Sequence, residues 1–342
     1  MLKSSSKIFF FKTGEEARLD RPRYGPRIMD KTASCGGFIV RIKGPDHYVM
    51  DRGGEIRCSV RGKFRIGRNP AESMPVVGDN VEYRRETAEN TGGAVGLILS
   101  VGPRKSIFAR SGSSEKRRCK VLCANLDLVF LVHSARDPAL NPRLLDRMLV
   151  AAESGRMEPV ICVNKIDLGG SRDEIDSQVE VYRRMSYGVV LCSARDGRGI
   201  DELSSLMKGR RSIMSGPSGA GKTSLLGMIE PGLEARIGAV SERTGKGRHT
   251  TTHFELHPLR CGGFLGDTPG IREFGIWEQS KQTLGACFRD FDPWRSQCRF
   301  SSCTHSHEPG CAVKEAVAEG LVSRERYESY LKILQDLPDL PE

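Results

Sequence analysis

The sequence predicts an α/β domain built on a parallel sheet, with a small β-barrel before it and a helical, metal-binding segment after it. Three observations support this prediction. Short β-rich runs divided by turn residues occupy residues 36–103. Apolar strands alternate with helical segments beyond residue 120, and cysteines and histidines cluster between residues 298 and 311. A chain of 342 residues is long enough for two or three such domains.

The first third of the chain is strongly basic. Residues 1–120 contain 25 Lys or Arg against 13 Asp or Glu, and the whole chain has a formal net charge of +10. This imbalance favours a polyanion-binding face, with RNA as the usual polyanion, although a solvated basic surface without a partner has the same composition. Residues 1–35 have little apolar patterning and are predicted to form a flexible basic arm.

Residues 36–110 are predicted to form the barrel. Its expected strands are GGFIVRIKG, HYVMD, EIRCSVRGKF, VVGDNVEY and AVGLILSVG. Five strands in so short a stretch suit an RNA-binding OB-fold, but their periodicity also allows an SH3-like barrel. The polar segment SGSSEKRRCK, residues 111–120, is interpreted as a connector.

Residues 111–275 are predicted to form the α/β domain. The strand-like runs LDLVFLVHS, EPVICVNK, VVLCSAR and RSIMSG alternate with the helical runs NPRLLDRMLVAAESG, SQVEVYRRMSYG and IDELSSLMKG. A continuous apolar run such as LDLVFLVHS indicates a strand buried on both faces, as in a parallel sheet covered by helices. Residues 276–342 are predicted to be helical around the Cys/His-rich loop.

A phosphate-binding loop is predicted at residues 216–223. Their sequence, GPSGAGKT, fits the pattern GxxxxGK(S/T), with a strand before it and a helix starting near Lys222. Glycines let the backbone N–H groups face the phosphates, and the helix N-terminus adds partial positive charge. Lys222 is expected to reach the β- and γ-phosphates, and the Thr223 hydroxyl to ligate Mg²⁺.

The segment VNKID, residues 163–167, is predicted to select guanine. The Asp167 carboxylate can accept hydrogen bonds from both N1–H and the 2-amino group of guanine, and adenine offers neither donor. The segment CSAR, residues 192–195, ends another strand, and its Ser-Ala backbone can meet the guanine O6. The predicted GTP-binding residues are Asn164, Lys165, Ile166, Asp167, Ser193, Ala194, Gly216, Pro217, Ser218, Gly219, Ala220, Gly221, Lys222, Thr223, Ser224 and Gly270.

Two further segments are expected to complete the site. In DTPG, residues 267–270, Asp267 is predicted to bind Mg²⁺ through water and the Gly270 N–H to contact the γ-phosphate. Between the phosphate loop and DTPG lies GKGRHTTTHFEL, where Thr250 or Thr251 is the candidate second Mg²⁺ hydroxyl. This glycine-rich stretch is predicted to become ordered when nucleotide binds.

Four residues are predicted to hold one structural Zn²⁺. Three thiols and an imidazole within 14 residues match the closed tetrahedral sites that zinc prefers. His307 competes for the nitrogen position, and chemistry alone barely separates it from its neighbour two residues earlier. Arginines and aromatics surround the loop, and they suit either stacking on RNA or packing of a small metal-stabilised core. The predicted zinc ligands are Cys298, Cys303 and Cys311, with His305 or His307 as the fourth.

The motifs occur in a permuted order. GTPases conventionally run from the phosphate loop through the switch Thr, DxxG and NKxD to SAK, whereas this chain runs NKxD, SAR, phosphate loop, Thr, DTPG. Chain termini can move in a compact sheet while spatial neighbours stay together. The sequence therefore predicts a circularly permuted α/β P-loop GTPase domain.

The motifs together resemble those of the ribosome-small-subunit-dependent GTPase A family, over about residues 36–330. The matching stretches are VVGD, NPRLLDRMLV, VNKIDL, GPSGAGKTSLL, GKGRHTTTH, DTPGIREFG and CRFSSCTHSHEPGCAVKEAV. The resemblance implies an OB-fold, a C-terminal zinc domain and GTP hydrolysis stimulated by the small (30S) ribosomal subunit. It also implies binding to 16S rRNA, a role in late subunit maturation, and His305 as the zinc ligand. Residues 1–35 and the insertion IGRNPAESM lie outside the family pattern.

Catalysis requires a residue that orients the attacking water. Ile271 follows DTPG at the position where many GTPases place a glutamine, and an aliphatic side chain cannot hold a water by hydrogen bonding. The resemblance suggests His249 on the predicted switch loop as the substitute. His249 could also be a residue that contacts phosphate or RNA.

Composition bears on membrane association, location and the state of the cysteines. Because no apolar run approaches the ~20 residues of a spanning helix, we expect no membrane partner and a cytoplasmic protein. We also expect a monomer. Eleven cysteines without a secretory signal indicate thiols rather than disulfides. Two alternatives stay open at this point: a GTP-switched RNA-binding assembly factor with incidental hydrolysis, and a permuted GTPase acting on the large subunit.

Overall fold

The structure is a computed structural model that describes residues 34–65, 74–86, 96–110, 120–168, 172–233, 254–266, 276 and 279–337. The predicted basic arm and most of the insertion IGRNPAESM lie outside the described residues. No helix in the described ranges has the length and apolar character needed to cross a membrane.

Five strands of the N-terminal region close into a barrel in the order β1-β2-β3-β5-β4. Their alternating side chains fill the barrel, with Ile39, Val49, Tyr83 and Ile98 fully buried. The predicted OB-like barrel is thus confirmed. The strands are β1 (Ser34–Lys43), β2 (Asp46–Asp51), β3 (Gly54–Val60), β4 (Asn80–Arg85) and β5 (Gly96–Val101).

The fourth strand starts later than the run VVGDNVEY suggested. The Asp79 carboxylate accepts hydrogen bonds from the Val76 N–H and from Arg104 Nε and Nη2, each at 2.8 Å. VVGD therefore forms a turn. Asp79 is fully buried and Arg104 is 17% exposed. This bidentate ion pair fixes the turn to the chain that leaves the barrel.

The polar connector is flanked by a strand pair that the sequence analysis missed. Strands β6 (Ile107–Arg110) and β7 (Lys120–Ala124) pair antiparallel, with Phe108 opposite Cys123. Each strand has only four or five residues, and the basic residues between them conceal the pattern. The hairpin links the barrel to the α/β domain, because Ala124 N donates to Val77 O at 2.9 Å.

The α/β domain contains a sheet with the strand order β10-β9-β8-β11-β13-β12. All neighbouring pairs are parallel except β12 with β13, so the predicted parallel sheet has an antiparallel edge strand. All seven residues of β8 are buried, as its apolar run predicted. The strands are β8 (Leu128–Ser134), β9 (Glu158–Asn164), β10 (Gly188–Leu191), β11 (Arg211–Ser215), β12 (Leu256–Pro258) and β13 (Phe264–Gly266).

Helices cover both faces of this sheet, as predicted. Alternate residues of β8 belong to different cores: Val129 and Leu131 to one, Phe130 and Val132 to the other. The first core includes residues of α1 and α2, and the second includes residues of α3 and α4. These helices are α1 (Pro142–Ser154), α2 (Arg172–Arg184), α3 (Ile200–Met207) and α4 (Lys222–Ile229).

The C-terminal segment forms a third core against α1. Short 3-10 turns at Leu284–Cys287 and Arg289–Phe291 precede α5 (Asp292–Arg295), α6 (Ala312–Ala318) and α7 (Arg324–Asp336). Phe288 and Phe291 stack at 5.1 Å between ring centroids and are fully buried. Helix α7 docks on α1 through Arg326, whose guanidinium donates to Asp146 at 2.5 Å and to Asp290 at 2.9 and 3.0 Å.

Candidate nucleotide site and Cys/His cluster

The loop between β11 and α4 has the backbone conformation of a phosphate cradle. Gly216, Gly219 and Gly221 all have positive φ, at 156°, 81° and 89°. A Cβ on Gly216 would lie 2.0 Å from the Val132 carbonyl oxygen of β8, so only glycine fits there. The loop therefore turns tightly at the carboxyl end of β11, where open parallel sheets bind ligands.

Lys222 is the first residue of α4, and its side chain reaches back to this loop. Its Nζ donates to the carbonyl oxygens of Gly216 at 2.8 Å and Pro217 at 2.9 Å. Burial lowers the pKa of its ammonium. The neighbouring Thr223 and Ser224 are exposed in the first turn of α4, and Ser218 and Gly219 are exposed in the loop.

Asn164 joins the three predicted base- and phosphate-binding segments. Its Nδ2 donates to the Ala220 carbonyl of the phosphate loop at 2.9 Å, and its Oδ1 accepts from the Ala194 N–H at 3.1 Å. A Cβ on Gly221 would lie 2.3 Å from this Nδ2, which requires glycine at that position. One buried amide thus holds together segments that are 30 and 56 residues away from it in the chain.

Asp167 lies beside the Ser-Ala segment. Its Oδ1 accepts from the Ser193 hydroxyl at 2.7 Å, and its Oδ2 lies 3.8 Å from Arg195 Nη1. Ile166, in the same 3-10 turn, donates its N–H to the Cys192 carbonyl at 3.3 Å. Lys165 has a left-handed φ of 61°, and its Nζ donates to the Asp137 carbonyl. All four residues of the NKxD motif therefore have fixed contacts at the carboxyl edge of the sheet.

Five residues predicted for the site lie outside the described residues. They are His249, Thr250, Thr251, Asp267 and Gly270. Strand β13 ends at Gly266, immediately before Asp267, and pairs in parallel with β11. The carboxyl ends of these two strands consequently lie side by side.

The Cys/His cluster converges in the C-terminal segment. The donor atoms of Cys298, Cys303, His305 and Cys311 all lie within 4.8 Å of one another. His305 Nδ1 is 3.5 Å from both the Cys298 and the Cys311 sulfur. His307 is exposed, with its Nδ1 3.0 Å from the Ser306 hydroxyl. The fold therefore brings His305 into the cluster and leaves His307 at the surface.

Comparison with known proteins identifies the family. A model described as the RsgA GTPase matches residues 101–277, and one described as the RsgA N-terminal domain matches residues 36–94. The chain belongs to the RsgA GTPase family. It is similar over 89% of its length to the RsgA of Caldanaerobacter subterraneus subsp. tengcongensis, with 39% identity and 96% of that protein covered. The RsgA of Chlorobaculum parvum is 40% identical over 91% of this chain and is covered completely.

Two solved structures agree with this assignment. YjeQ from Thermotoga maritima superposes with a TM-score of 0.71 and 34% identity, covering 89% of this chain and 99% of that one. YloQ, described as a circularly permuted GTPase, superposes with a TM-score of 0.70 and 28% identity, covering 92% and 100%. The predicted fold class and the predicted GTPase activity are thus confirmed: the chain is a circularly permuted RsgA GTPase.

Sequence reasoning missed one buried residue beside the phosphate loop. His133 of β8 is 1% exposed, and its Nε2 has no hydrogen-bond partner among the described residues. Burial, together with the charge of Lys222, lowers its pKa to about 4, so the imidazole is neutral at physiological pH. An isolated histidine in an apolar run gives no sequence signal of this kind.

The surroundings of the Cys/His cluster decide between the two interpretations of its aromatic residues. Phe288 and Phe291 are core residues packed on Tyr330, and Phe300 is 43% exposed. One nearby arginine is also held by packing. Arg289 donates to Glu153 at 2.6 Å, and its guanidinium lies over the Tyr187 ring at 4.1 Å. Packing, not stacking on RNA, accounts for Phe288, Phe291 and Arg289.

Hydrogen bonds brace the loop that carries His305. The Tyr327 hydroxyl donates to the His305 carbonyl at 2.7 Å, and Tyr330 donates to the Thr304 carbonyl at 2.5 Å. Glu308 accepts from the Thr304 N–H at 2.7 Å and from the Ser306 N–H at 3.1 Å. His305 itself has a φ of 55°, so its ring orientation depends on this bracing.

Proposed function

We propose that this GTPase binds the small (30S) ribosomal subunit through its 16S rRNA and assists late subunit maturation, with GTP hydrolysis stimulated by the subunit. One observation carries the proposal. Relatives named small ribosomal subunit biogenesis GTPase RsgA match this chain at 39–40% identity over nearly their whole length. The proposal includes action as a cytoplasmic monomer.

The arrangement of the loops supports the following nucleotide roles. Residues 216–224 wrap the phosphates, Lys222 neutralises the β- and γ-phosphates, and Thr223 ligates Mg²⁺. Asp167 accepts from guanine, while Asn164 and Lys165 hold the base loop against the phosphate loop. Asn164 supports this assignment because it bonds to both the Ala220 carbonyl and the Ala194 N–H. Ser193 supports it by donating to Asp167.

The roles of the residues outside the described ranges are argued from the sequence motifs alone. Asp267 and Thr250 or Thr251 complete the Mg²⁺ site, and the Gly270 N–H contacts the γ-phosphate. His249 orients the attacking water in place of the glutamine that Ile271 replaces. Bound Mg²⁺ would neutralise the charge that develops on the phosphates.

The Cys/His cluster holds one structural Zn²⁺. Its soft sulfur and nitrogen donors fit zinc, and no other ligand position is needed for a closed tetrahedral site. His305 would bind through Nδ1, the nitrogen that faces the sulfurs. Gly285 fits against the other side of this ring, where a Cβ would lie 3.0 Å from Nε2.

Subunit-dependent turnover tests the proposed function. GTP hydrolysis by the purified protein is measured at fixed salt, alone and with small or large ribosomal subunits, because phosphate-driven binding depends steeply on salt. We expect low turnover alone and a large stimulation by small subunits only. Stimulation by large subunits only, or by neither, would contradict the proposed partner while leaving the GTPase assignment intact.

A further inference from the structure

A groove runs along the seam between the three parts of the molecule, at the amino edge of the sheet. One cleft of about 620 Å³ lies between the barrel and the sheet. A second of about 420 Å³ lies between α1 and the chain that leads into the C-terminal core. Lys105, Ser106 and Arg156 line both clefts, so the two are adjacent. We call them together the seam groove.

The seam groove is distant from the nucleotide site. It is lined by Asp127, Glu158 and Arg211, which precede or begin strands β8, β9 and β11. The phosphate loop follows the opposite end of β11, after Ser215. Five strand residues separate the two, or about 17 Å.

Two cations at the boundary between the clefts have no acidic partner among the described residues. Lys105 and Arg156 are both exposed. The acidic residues of the clefts bind other groups: Glu158 lies 3.4 Å from Arg210, Glu153 lies 2.6 Å from Arg289, and Asp127 accepts from the Arg211 backbone N–H at 2.8 Å. None of them forms an ion pair with Lys105 or Arg156.

The backbone of Arg156 is held in a conformation that favours glycine. It follows the C-cap Gly155 of α1 with a φ of 56°, and the next N–H, of Met157, donates to Ala152 at 3.0 Å. Glycine is the usual residue at this position of a helix end, and an arginine there is strained. The groove thus keeps a guanidinium at a position where the fold alone would favour glycine.

The larger cleft contains a flat, rigid platform. The Arg211 guanidinium lies 3.9 Å over the Phe38 ring, and its nitrogens donate to Gly78 O at 3.0 Å and Asn80 Oδ1 at 2.9 Å. Phe264 supports Phe38 edge-on at 5.0 Å. Proteins stack unpaired RNA bases on such aromatic and guanidinium planes.

We propose that the seam groove binds a single-stranded RNA segment, with a base stacked on the Arg211 platform and the adjoining phosphates at Lys105 and Arg156. Both clefts have volumes in the range of ~300–1,000 Å³ typical of ligand pockets. The two shared cations lie at the boundary between the cleft that contains the platform and the second cleft. That the RNA is ribosomal rests on the proposed function; the groove's preference for single-stranded RNA does not.

The test measures binding of a fluorescent single-stranded uridine hexanucleotide to the full chain, with GDP saturating the nucleotide site. The variant is Lys105→Ala with Arg156→Gly. Two controls match it: Arg184→Ala removes an exposed charge elsewhere, and Ser186→Gly relieves another left-handed residue, with φ of 60°, without changing charge.

We expect the double variant to bind the RNA about tenfold more weakly at fixed salt, from the loss of two exposed charge contacts. Its plot of log affinity against log salt should be shallower by about 1.4, since each single-strand phosphate contact contributes about 0.7. Its melting temperature should equal or exceed that of the wild type, because Arg156→Gly removes strain. Both controls should bind RNA as the wild type does.

Three results would overturn the proposal. These are unchanged RNA binding by the double variant, a loss of binding matched by a lower melting temperature, and equal binding of uridine monophosphate at the same nucleotide concentration. The subunit-stimulated turnover assay is separate. Weaker RNA binding by the variant without any small-subunit stimulation of the wild type would support the groove and contradict only the proposed partner.

Discussion

The nucleotide site and the Cys/His cluster are built in opposite ways. Asn164 and the phosphate loop are 56 residues apart and meet only because β9, β8 and β11 are neighbours in one sheet. The cluster draws all four donors from 14 residues, and its ligands are held by turns and by α7. A long-range site thus depends on the sheet, whereas the local cluster depends on its own turns and small core. Substitutions can test how independent the two are.

Loss of a metal ligand should have the largest effect. Cys303→Ser should remove the bound zinc and unfold the C-terminal core, because structural zinc supplies on the order of 10 kcal/mol of binding free energy. GDP affinity should remain close to wild type, since no nucleotide-site residue that the structure describes belongs to this core. Metal analysis, near-UV circular dichroism and GDP titration would measure the three quantities.

The matched control for that variant is Cys261→Ser, because Cys261 is a free thiol outside the cluster. It should retain zinc and the C-terminal core. A loss of GDP affinity in Cys303→Ser as severe as its loss of zinc would contradict the independence of the two sites.

The ion pair between α1 and α7 is the link that could break this independence. Arg326→Ala leaves the nearly buried carboxylates of Asp146 and Asp290 without their partner, which should lower the free energy of unfolding by about 3–5 kcal/mol. Arg147→Ala is the control, since Arg147 joins the same helices through an exposed pair with Asp336 at 2.9 Å. That change should cost less than about 1 kcal/mol.

Chemical denaturation of both variants measures these costs. Equal destabilisation by the buried and the exposed arginine would show that the buried pair is not what docks α7 on α1.

The central amide of the nucleotide site should matter less to folding and more to binding. Asn164→Ala removes two hydrogen bonds between loops and leaves the Ala220 carbonyl and Ala194 N–H unpaired. We expect GDP affinity to fall by about 3 kcal/mol, roughly a hundredfold. Asn141→Ala serves as control, because Asn141 caps α1 by accepting from Leu144 and has no hydrogen bond to the described nucleotide-site loops. A comparable loss of GDP affinity in the control would argue against a specific role of Asn164.

Acid should weaken the fold through His133. Its pKa is about 4 in the folded protein and about 6.5 in the unfolded chain, so between these values the unfolded state binds more protons and stability falls as pH falls. At pH 5 this should cost about 2 kcal/mol. In His133→Gln that component should be absent, so the variant should lose less stability than wild type between pH 6.5 and pH 5. Above pH 7 the plots of stability against pH for wild type and variant should be parallel. Plots that stay parallel down to pH 4 would mean that folding does not lower the pKa of His133.

The structure could be predicted from the sequence where neighbouring residues determine the local geometry. GPSGAGKT requires a strand before it and a helix after it, and the structure places β11 and α4 there. The convergence of the Cys/His donors was predictable for a similar reason, although only the fold separates His305 from His307, which have the same chemistry.

Features that depend on distant residues were harder to predict. The β6–β7 pair and the antiparallel β12 depend on pairing partners that short, weakly patterned strands do not reveal. The neutral state of His133 arises from burial beside Lys222, and the Arg211 platform arises where the barrel meets the sheet. Neither has a sequence motif, because each is produced by packing between segments far apart in the chain.

The base preference of Asp167→Asn tests most directly whether this permuted site binds guanine through Asp167. Guanine presents two donors, N1–H and the 2-amino group, to a carboxylate, whereas xanthine presents N1–H and a carbonyl, which match the acceptor and donor of an asparagine amide. Binding of GDP and xanthosine diphosphate to wild type and variant would be measured by titration. We expect wild type to prefer GDP and the variant to prefer xanthosine diphosphate. An unchanged preference for GDP in Asp167→Asn would contradict the assignment of this permuted site as the guanine-binding centre.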